Sequence, residues 1–307
     1  MKFSLRQIAI FAAIARCGSV SQAAERLAMS QSAASNALLE LERAYERPLF
    51  DRIGKSLHLN SDGRGLLPFA ERLLGQAADI DSLLAGDRPG PLAVGATLTI
   101  GNYLATLLVA DYLRQNPDSP ATLHVANTHQ IVASLLAFDC DLGLIEGEVS
   151  HPDLRCEPWL EDELLVFCAP GHPLAAASHA DNATLAAQDW ILREPGSGTR
   201  DQFERQIARQ LPQVQTRLEL EHTEAIKRAV ESGLGIGCLS RLALREALRR
   251  GSLVEIATPQ FDLRRHFYLA CHRQRHESLA MRRFRALCAG FTGGARDTGE
   301  LVLPFIP

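Results

Sequence analysis

The chain has 307 residues and a formal net charge of −4, with 46% hydrophobic and 22% charged residues. This composition is typical of a soluble globular protein and argues against a disordered, fibrous or coiled-coil chain. An ordinary domain has roughly 100 to 200 residues, so we expect two or three domains. The start of the chain shows neither a signal-peptide pattern nor an apolar run of about 18 residues, so we expect a cytoplasmic protein without a membrane segment.

The charged residues are unevenly distributed. The negative net charge excludes a uniformly basic nucleic-acid binder, so any DNA contact must come from a local patch. Residues 1–65 carry nine basic and six acidic side chains, an excess of three positive charges.

The cysteines and histidines indicate no catalytic or metal site. The seven cysteines are scattered and form no CxxC pair, which favours reduced thiols over disulfides or a zinc site. The ten histidines form no HExxH motif, and no Ser-His-Asp ordering stands out from chance. We therefore predict no metal, no cofactor and no enzymatic activity.

The first 60 residues are patterned as three short helices and a hairpin. Apolar residues at spacings of three and four predict a helix over residues 4–17. Ser19 and Ser21 can cap a second helix, and Ser30 can cap a third that ends near residue 45. Apolar residues then alternate around a Gly-Lys turn at 54–55, which predicts a two-stranded wing.

A long amphipathic helix is predicted to follow the wing. From Asp62, apolar residues keep a helical period for about 24 residues. The small preceding domain cannot cover so long a stripe, so we predict a dimerisation helix that packs against a second copy of the chain. Prolines and glycines over residues 85–91 mark a hinge after it.

Beyond Pro91, predicted strands alternate with predicted helices. The strands cover residues 92–96, 121–126, 142–145, 164–169, 190–192, 218–220, 236–239 and 267–272, and the helices cover 101–115, 130–138, 199–209, 225–231, 241–250 and 277–289. This alternation predicts parallel sheets with crossover helices. Two such halves joined by a hinge leave a cleft at the carboxyl ends of their strands.

The segment Gly18–Glu42, followed by Pro48–Arg52, resembles the DNA-binding segment of LysR-type transcriptional regulators. Three positions depart from the family pattern: Glu46 stands where glycine is common, Asn36 where arginine is frequent, and Asn60 where threonine usually follows the wing. These departures leave the expected fold intact.

Motifs in the second part of the chain resemble the YeiE/FinR branch of the same family, which is associated with sulfite sensing. They are Thr99–Leu104, Asp141–Gly147, Glu157–Leu164, Leu192–Arg200, Glu224–Lys227, Gly233–Arg241 and His272–Gln274. The resemblance implies an N-terminal all-α winged helix-turn-helix, a long linker helix, and a C-terminal α/β domain with two lobes, similar to type 2 periplasmic binding proteins.

The resemblance also implies domain boundaries and an assembly. We expect a DNA-binding domain over residues 1–60, a linker helix and hinge over 61–88, and an effector-binding domain over 89–307. Within the last, lobe I covers about 89–164 and 266–307, and lobe II about 165–265. The expected partners are promoter DNA, a small-molecule effector, and further copies of the chain in a homodimer or a homotetramer built from two dimers.

The predicted DNA-binding residues lie on the second helix, the third helix and the wing. Short polar side chains after the Ser30 cap can present donors and acceptors to a major groove, whereas Arg52 and Lys55 can meet phosphates. The full set is Ser21, Gln22, Ser30, Gln31, Ser32, Ser35, Asn36, Arg52 and Lys55.

The predicted ligand site combines two hydroxyl-rich segments. Thr97 and Thr99 follow a predicted strand and precede a predicted helix, and the segment 196–200 starts another, so backbone N–H groups and hydroxyls converge. Simple helix capping is the alternative for the threonines. By resemblance to sulfate-binding family members, Thr97, Thr99 and Ser197 inherit ligand-binding roles. The full predicted ligand set is Thr97, Thr99, Ile100, Glu146, Ser197, Gly198 and Thr199. The carboxylate of Glu146 would repel an anion unless one of the two is protonated or a cation intervenes.

These observations favour a ligand-responsive transcription factor whose effector is sulfite or a related sulfur oxyanion. A small organic carboxylate is the alternative effector. A solute-binding protein and an α/β enzyme are the alternatives from other classes. The glycines of Gly233–Gly237 precede a predicted strand rather than follow one, so we exclude a dinucleotide site there.

Overall fold

The computed structural model describes residues 1–53, 56–84, 88–177, 179–211 and 213–302. The N-terminal elements are α1 Leu5–Cys17, α2 Val20–Arg26, α3 Gln31–Tyr45, β1 Phe50–Ile53, β2 Ser56–Leu59 and α4 Ser61–Leu84. Strands β1 and β2 pair antiparallel. The predicted winged helix-turn-helix with its long linker helix is therefore confirmed, and we call residues 1–60 of it the head.

Local capping explains where the helices of the head begin. The Ser4 hydroxyl accepts from the Gln7 N–H and the Gln7 side chain accepts from the Ser4 N–H, which closes a capping box on α1. Ser30 caps α3 by accepting from the Ala33 N–H at 3.2 Å. The prediction that Ser21 caps α2 is wrong. Because α2 already begins at Val20, Ser21 lies inside the helix.

The C-terminal part alternates strands and helices. The strands are β3 Leu92–Thr97, β4 Ala121–Ala126, β5 Leu142–Glu146, β6 Leu154–Cys168, β7 Asp189–Arg193, β8 Gln215–Leu220, β9 Ile236–Ser240, β10 Val254–Ile256 and β11 Arg264–His272. The helices are α5 Leu98–Ile100, α6 Thr106–Gln115, α7 Thr128–Leu136, α8 Asn182–Ala186, α9 Gly198–Phe203, α10 Thr223–Glu231, α11 Arg241–Arg250 and α12 Leu279–Phe291. A five-residue π-helical segment follows each of α5 and α9.

Within the described residues, these strands form one sheet in the order β4-β3-β5-β11-β6-β9-β7-β8, with β10 on β6. Strand β6 pairs with β11 over residues 154–163 and with β9 over residues 164–167, so a single strand crosses from one half of the sheet to the other. We call the half containing β3, β4, β5 and β11 the first lobe, and the half containing β7, β8, β9 and β10 the second lobe.

The predicted parallel pairing holds only within each lobe. Strands β3, β4 and β5 are parallel to one another, as are β7, β8 and β9. Strands β6 and β11 pair antiparallel, so the prediction is wrong for them. The reason is that β6 and β11 run between the lobes and are not connected to their neighbours by a crossover helix. Strand β10, which the sequence did not predict, also pairs antiparallel with β6.

Four predicted element starts are also wrong by three residues or more. Strand β8 begins at Gln215 rather than at residue 218. Strand β6 begins at Leu154 rather than at residue 164, and β11 begins at Arg264 rather than at residue 267. Both missed segments are rich in charged residues and lack an apolar alternation. The helix predicted from Gly101 begins at Leu98. The helical backbone continues from α5 through Gly101, where a Cβ would lie 2.6 Å from the Val125 side chain.

Each lobe has apolar clusters on both faces of its sheet. Five of the seven cysteines are buried, Cys17 and Cys156 are half-buried, and all seven are unpaired.

The head and α4 contact the first lobe of the same chain. Phe138 of the first lobe packs into the apolar cluster of the head. Glu71 of α4 pairs with Arg16 of α1 and lies 3.7 Å from Arg275 of the first lobe. Further along α4, Asp79 lies 2.7 Å from His276. A change in the first lobe can therefore reach the head through direct contacts.

Candidate functional site

Helix α3 presents a polar face to solvent. Ala34, Leu38 and Leu41 are buried against the rest of the head. The opposite face carries the predicted base-reading residues Gln31, Ser32, Ser35 and Asn36, all of which are exposed. An exposed helix with short polar side chains at its N-terminal end suits entry into a major groove.

The other predicted DNA-contacting residues lie around this face. Ser21 and Gln22 are exposed in the first turn of α2, and Arg52 is exposed on β1 of the wing. Ser30 is exposed but is used as the α3 cap. Lys55 lies outside the described residues. The described members of the set therefore form a polar surface with a cation on the wing.

Helix α3 ends in a strained residue. Glu46 is the C-cap and has φ 55° and ψ 34°, in the left-handed region that favours glycine. The family pattern commonly has glycine here, so this departure has a backbone cost.

The predicted ligand residues converge on a carboxylate of the chain itself. Glu146, at the end of β5, has a side chain that is 2% exposed. Its Oε1 accepts from the Thr99 N–H at 2.8 Å, and its Oε2 accepts from the Thr199 hydroxyl at 3.0 Å. Arg265 Nη2 lies 3.0 Å from Oε2, and Arg265 Nη1 donates to the Thr199 hydroxyl at 3.1 Å. We call Thr99, Thr199 and Arg265 the Glu146 cage.

The cage keeps Glu146 ionised. Burial by itself raises the pKa of Glu146, but the positive charges of Arg265 and Arg193 and hydrogen bonds from Thr99 and Thr97 outweigh it, so the pKa is lowered. Arg265 is thus the intervening cation that an anion site containing Glu146 requires.

Arg265 holds a second buried carboxylate. Its Nε lies 2.9 Å from Asp162, and both side chains are at most 2% exposed. Asp162 also accepts from the hydroxyls of Ser240 at 2.7 Å and Thr298 at 2.8 Å. Burial nevertheless raises the pKa of Asp162. The network links the first lobe, the second lobe and the two strands that run between them.

The other predicted ligand residues occupy different environments. Thr97 ends β3, with its hydroxyl 3.5 Å from the Leu144 carbonyl. Ile100 is fully buried in the apolar core of the first lobe, so only its backbone can face a ligand. Ser197 is buried at the start of α9. The Gly198 N–H donates to the Thr128 hydroxyl at 3.1 Å, across the two lobes.

An open cleft of about 550 Å³ lies between the lobes. Its polar lining was not predicted from the sequence, and it consists of Asn102, His124, Asn127 and Gln130 from the first lobe and Glu194, Glu221 and His222 from the second. Glu194 is neutralised by Arg193, at 2.8 and 2.9 Å. Thr223, which begins α10 beside His222, is 1% exposed, and its hydroxyl has no partner among the described residues.

The described residues provide neither a metal site nor a membrane span. No group of three or more of their His, Cys, Asp or Glu side chains is placed to hold a metal ion, and none of their helices is long and apolar enough to cross a membrane.

The comparisons with known proteins agree with this geometry. Residues 5–64 match the bacterial regulatory helix-turn-helix protein, lysR family, and residues 85–292 match the LysR substrate binding domain. The HTH-type transcriptional regulator YeiE of Escherichia coli is 44% identical over 94% of this chain and 98% of its own length. The transcriptional activator CmpR of Synechocystis is 31% identical over 92% of this chain and 93% of its own.

Two solved structures are similar. A full-length OxyR variant from Pseudomonas aeruginosa has 25% identity and a TM-score of 0.75, and the alignment covers 94% of each chain. The CcmR regulatory domain of Synechocystis, solved in complex with 2-PG, has 28% identity and a TM-score of 0.60, over 67% of this chain and 99% of that domain. The two family models and the 44% identity to YeiE show that the chain belongs to the LysR family of transcriptional regulators, which are DNA-binding proteins and not enzymes.

Proposed function

We propose that a compact anion bound between the two lobes changes how this regulator binds its promoter, and that sulfite is the effector. The observation that carries the proposal is the Glu146 cage, where a backbone N–H, a hydroxyl and a guanidinium from elements of both lobes converge on one negative charge. Such converging donors suit a small oxyanion.

The contacts between the first lobe and the head support a route to DNA. An effector that favours one arrangement of the lobes shifts the populations of the whole chain. Because Phe138 and Arg275 of the first lobe contact the head and α4, that shift can reposition the α3 surface. Effector binding between the lobes and DNA binding by the head then shift the same conformational equilibrium, as allosteric coupling requires.

The proposal is tested by titrating sulfite, sulfate, thiosulfate and small carboxylates into the full chain by calorimetry. The same ligands are added to a gel shift with the DNA upstream of its own gene. We expect sulfite to bind and to change the shift. Binding of an organic acid without any binding of sulfite would rule out the sulfite assignment.

A matched pair of variants locates the site. Thr99→Val removes a hydroxyl beside Glu146 but keeps the backbone N–H, whereas Thr122→Val removes an exposed hydroxyl from β4. A hydrogen bond to a charged group is worth about 1.5 to 3 kcal/mol, so Thr99→Val should weaken sulfite binding roughly ten- to a hundredfold. Equal affinity in the two variants would remove Thr99 from the site.

A small organic carboxylate is the second candidate effector. The open cleft of about 550 Å³ is larger than a compact oxyanion fills and is lined by amides, imidazoles and carboxylates. The CcmR regulatory domain, 28% identical to this chain, was solved with 2-PG. The calorimetric series above separates the two candidates.

We also propose that α4 mediates a homodimer, which can pair further into a tetramer. On α4, Phe69, Ile80 and Leu84 are 63%, 58% and 83% exposed in the single chain. An apolar groove of about 550 Å³ between α1, α3 and α4 includes Phe69 and continues this surface. Burying such a face in a second copy is favourable. Sedimentation should show a dimer or larger species that Phe69→Ser weakens.

A further inference from the structure

The donors of the Glu146 cage are directed at Glu146 itself. The Thr99 N–H, the Thr199 hydroxyl and the Arg265 guanidinium all face the carboxylate of Glu146. An effector anion that uses the same donors must therefore compete with Glu146.

The occupied cage also connects the lobes. Glu146 ends β5 of the first lobe, whereas Thr199 lies on α9 of the second. Two further contacts stand beside this one, from the Gly198 N–H to the Thr128 hydroxyl and from the His129 N–H to the Gly196 carbonyl at 3.2 Å. The carboxylate of Glu146 is thus one of the groups that hold α9 against the first lobe.

Arg265 can remain in place if Glu146 leaves. Its Nε stays paired with Asp162 at 2.9 Å. Its Nη2 makes no properly oriented hydrogen bond within the described residues, although it lies 3.0 Å from Glu146. The guanidinium is therefore fixed by one carboxylate and has a donor available for another anion.

We propose that Glu146 is an internal ligand, whose carboxylate occupies the position of the effector anion and is displaced when the effector binds. The inference rests on the proposed function, because it concerns the same donors around Glu146. Displacement breaks the Glu146–Thr199 hydrogen bond, so competition for donors becomes a change in how the lobes contact each other. The effector that fits is a compact oxyanion able to take one carboxylate's place.

The test is chemical rescue. Glu146→Ala removes the internal carboxylate, and sodium formate supplies an external one. We expect formate to bind the variant in calorimetry and to raise its melting temperature, while it does neither for the wild type. Glu148→Ala is the matched control, since Glu148 is an exposed carboxylate two residues further along the chain. A folded Glu146→Ala protein that does not bind formate would overturn the inference.

Sulfite affinity gives a second readout. If Glu146 occupies the anion position most of the time, the apparent affinity for sulfite is reduced to the fraction of molecules in which that position is free. Glu146→Ala removes this competition, so it should tighten sulfite binding by about tenfold or more. Weaker sulfite binding by Glu146→Ala would instead make Glu146 a direct contact of the effector and would contradict displacement.

Glu146→Ser covers the case in which the alanine variant does not fold. Its side chain is polar but too short to reach the position of the carboxylate, so the cage is again empty and we expect the same gain of formate binding. Its absence counts against the inference. The two proposals fail separately. If formate binds the variant but sulfite has no effect on the wild type, Glu146 is an internal ligand and sulfite is not the effector. If sulfite binds the wild type but formate does not bind the variant, sulfite can be the effector and Glu146 is not an internal ligand.

Discussion

Replacing Arg265 by methionine tests the buried charge network most severely. Arg265 is the cation between Glu146 and Asp162, with contacts of 3.0 and 2.9 Å, and it also donates to Thr199. All three side chains are at most 2% exposed. The variant keeps an apolar stem of similar length but leaves two carboxylates in a site that water does not reach.

The expected cost is large because the partners remain behind. Removing one member of a buried ion pair typically destabilises a protein by about 3 to 5 kcal/mol. For a domain of this size that corresponds to a drop of roughly 10 °C in Tm. Part of this lost stability is recovered only if one of the unpaired carboxylates takes up a proton and becomes neutral.

The pH dependence follows from the directions of the pKa shifts. In the wild type the pKa of Glu146 is lowered, so the stability from its ionised form is present above its unfolded pKa and is lost as pH falls through the folded pKa. In Arg265→Met, burial without the cation raises the pKa of Glu146 and further raises that of Asp162. In this variant the two carboxylates therefore lower the free energy of unfolding at neutral pH, and they lower it less as pH falls and they take up protons. The deficit relative to the wild type should shrink toward acid pH.

Urea unfolding at about pH 7.5 and about pH 5.5 measures this deficit. Arg264→Met is the matched control, because Arg264 precedes Arg265 on β11 but pairs with Asp262 at the surface, with its side chain 73% exposed. The control should unfold like the wild type at both pH values. Equal stability of the two variants, or a deficit that grows as pH falls, would refute the reasoning.

The remaining predictions concern the head and the lobe contact. Glu46→Gly should raise stability by about 0.5 to 1 kcal/mol in thermal unfolding, because it relieves the left-handed φ of 55°, whereas Glu46→Ala should not. Gln31→Ala or Ser35→Ala should weaken binding to specific DNA by about 1 to 3 kcal/mol and should weaken binding to random DNA much less. Equal losses on both DNAs would show that Gln31 and Ser35 do not contact bases. Gly198→Ala puts a Cβ 2.2 Å from the Glu146 carbonyl oxygen, so it should abolish the sulfite response, whereas Gly171→Ala, with open space around it, should keep it.

The head was predictable from the sequence because its signals are local. The apolar periodicity of α1, the Ser30 cap and the alternation of the wing each depend on residues within a few positions of one another. The one wrong cap, Ser21, shows the limit, since two serines two residues apart offer the same chemistry. Which of them begins the helix depends on packing.

The cage was predictable only in part. Thr99, Glu146 and Thr199 were expected at a ligand site and do converge. Arg265 was missed because the run Arg264-Arg265-His266 looks like an exposed surface, whereas its burial depends on Asp162, 103 residues away. A local sequence pattern does not indicate a contact between residues so far apart in the chain. Because Arg265 was not identified, the role of Glu146 as an acceptor inside the cage could not be inferred.

The lining of the open cleft was not predicted as a site. Asn102 and Glu194 lie within two of the segments that resemble the family, but nothing in those segments marks them as ligand residues, and Gln130 and His222 lie outside every such segment. The Thr223 hydroxyl has no partner within the described part of the chain, which cannot be inferred from the sequence because it depends on the burial of this residue.

The most direct test of the central claim is the affinity of the full chain for its own upstream DNA, measured by fluorescence anisotropy with and without saturating sulfite. Sulfate at the same ionic strength is the control, because DNA binding depends on salt. We expect sulfite to change the Kd for specific DNA by about fivefold or more, in keeping with ordinary allosteric coupling. The same Kd in sulfite, sulfate and buffer, with no heat of sulfite binding, would contradict it.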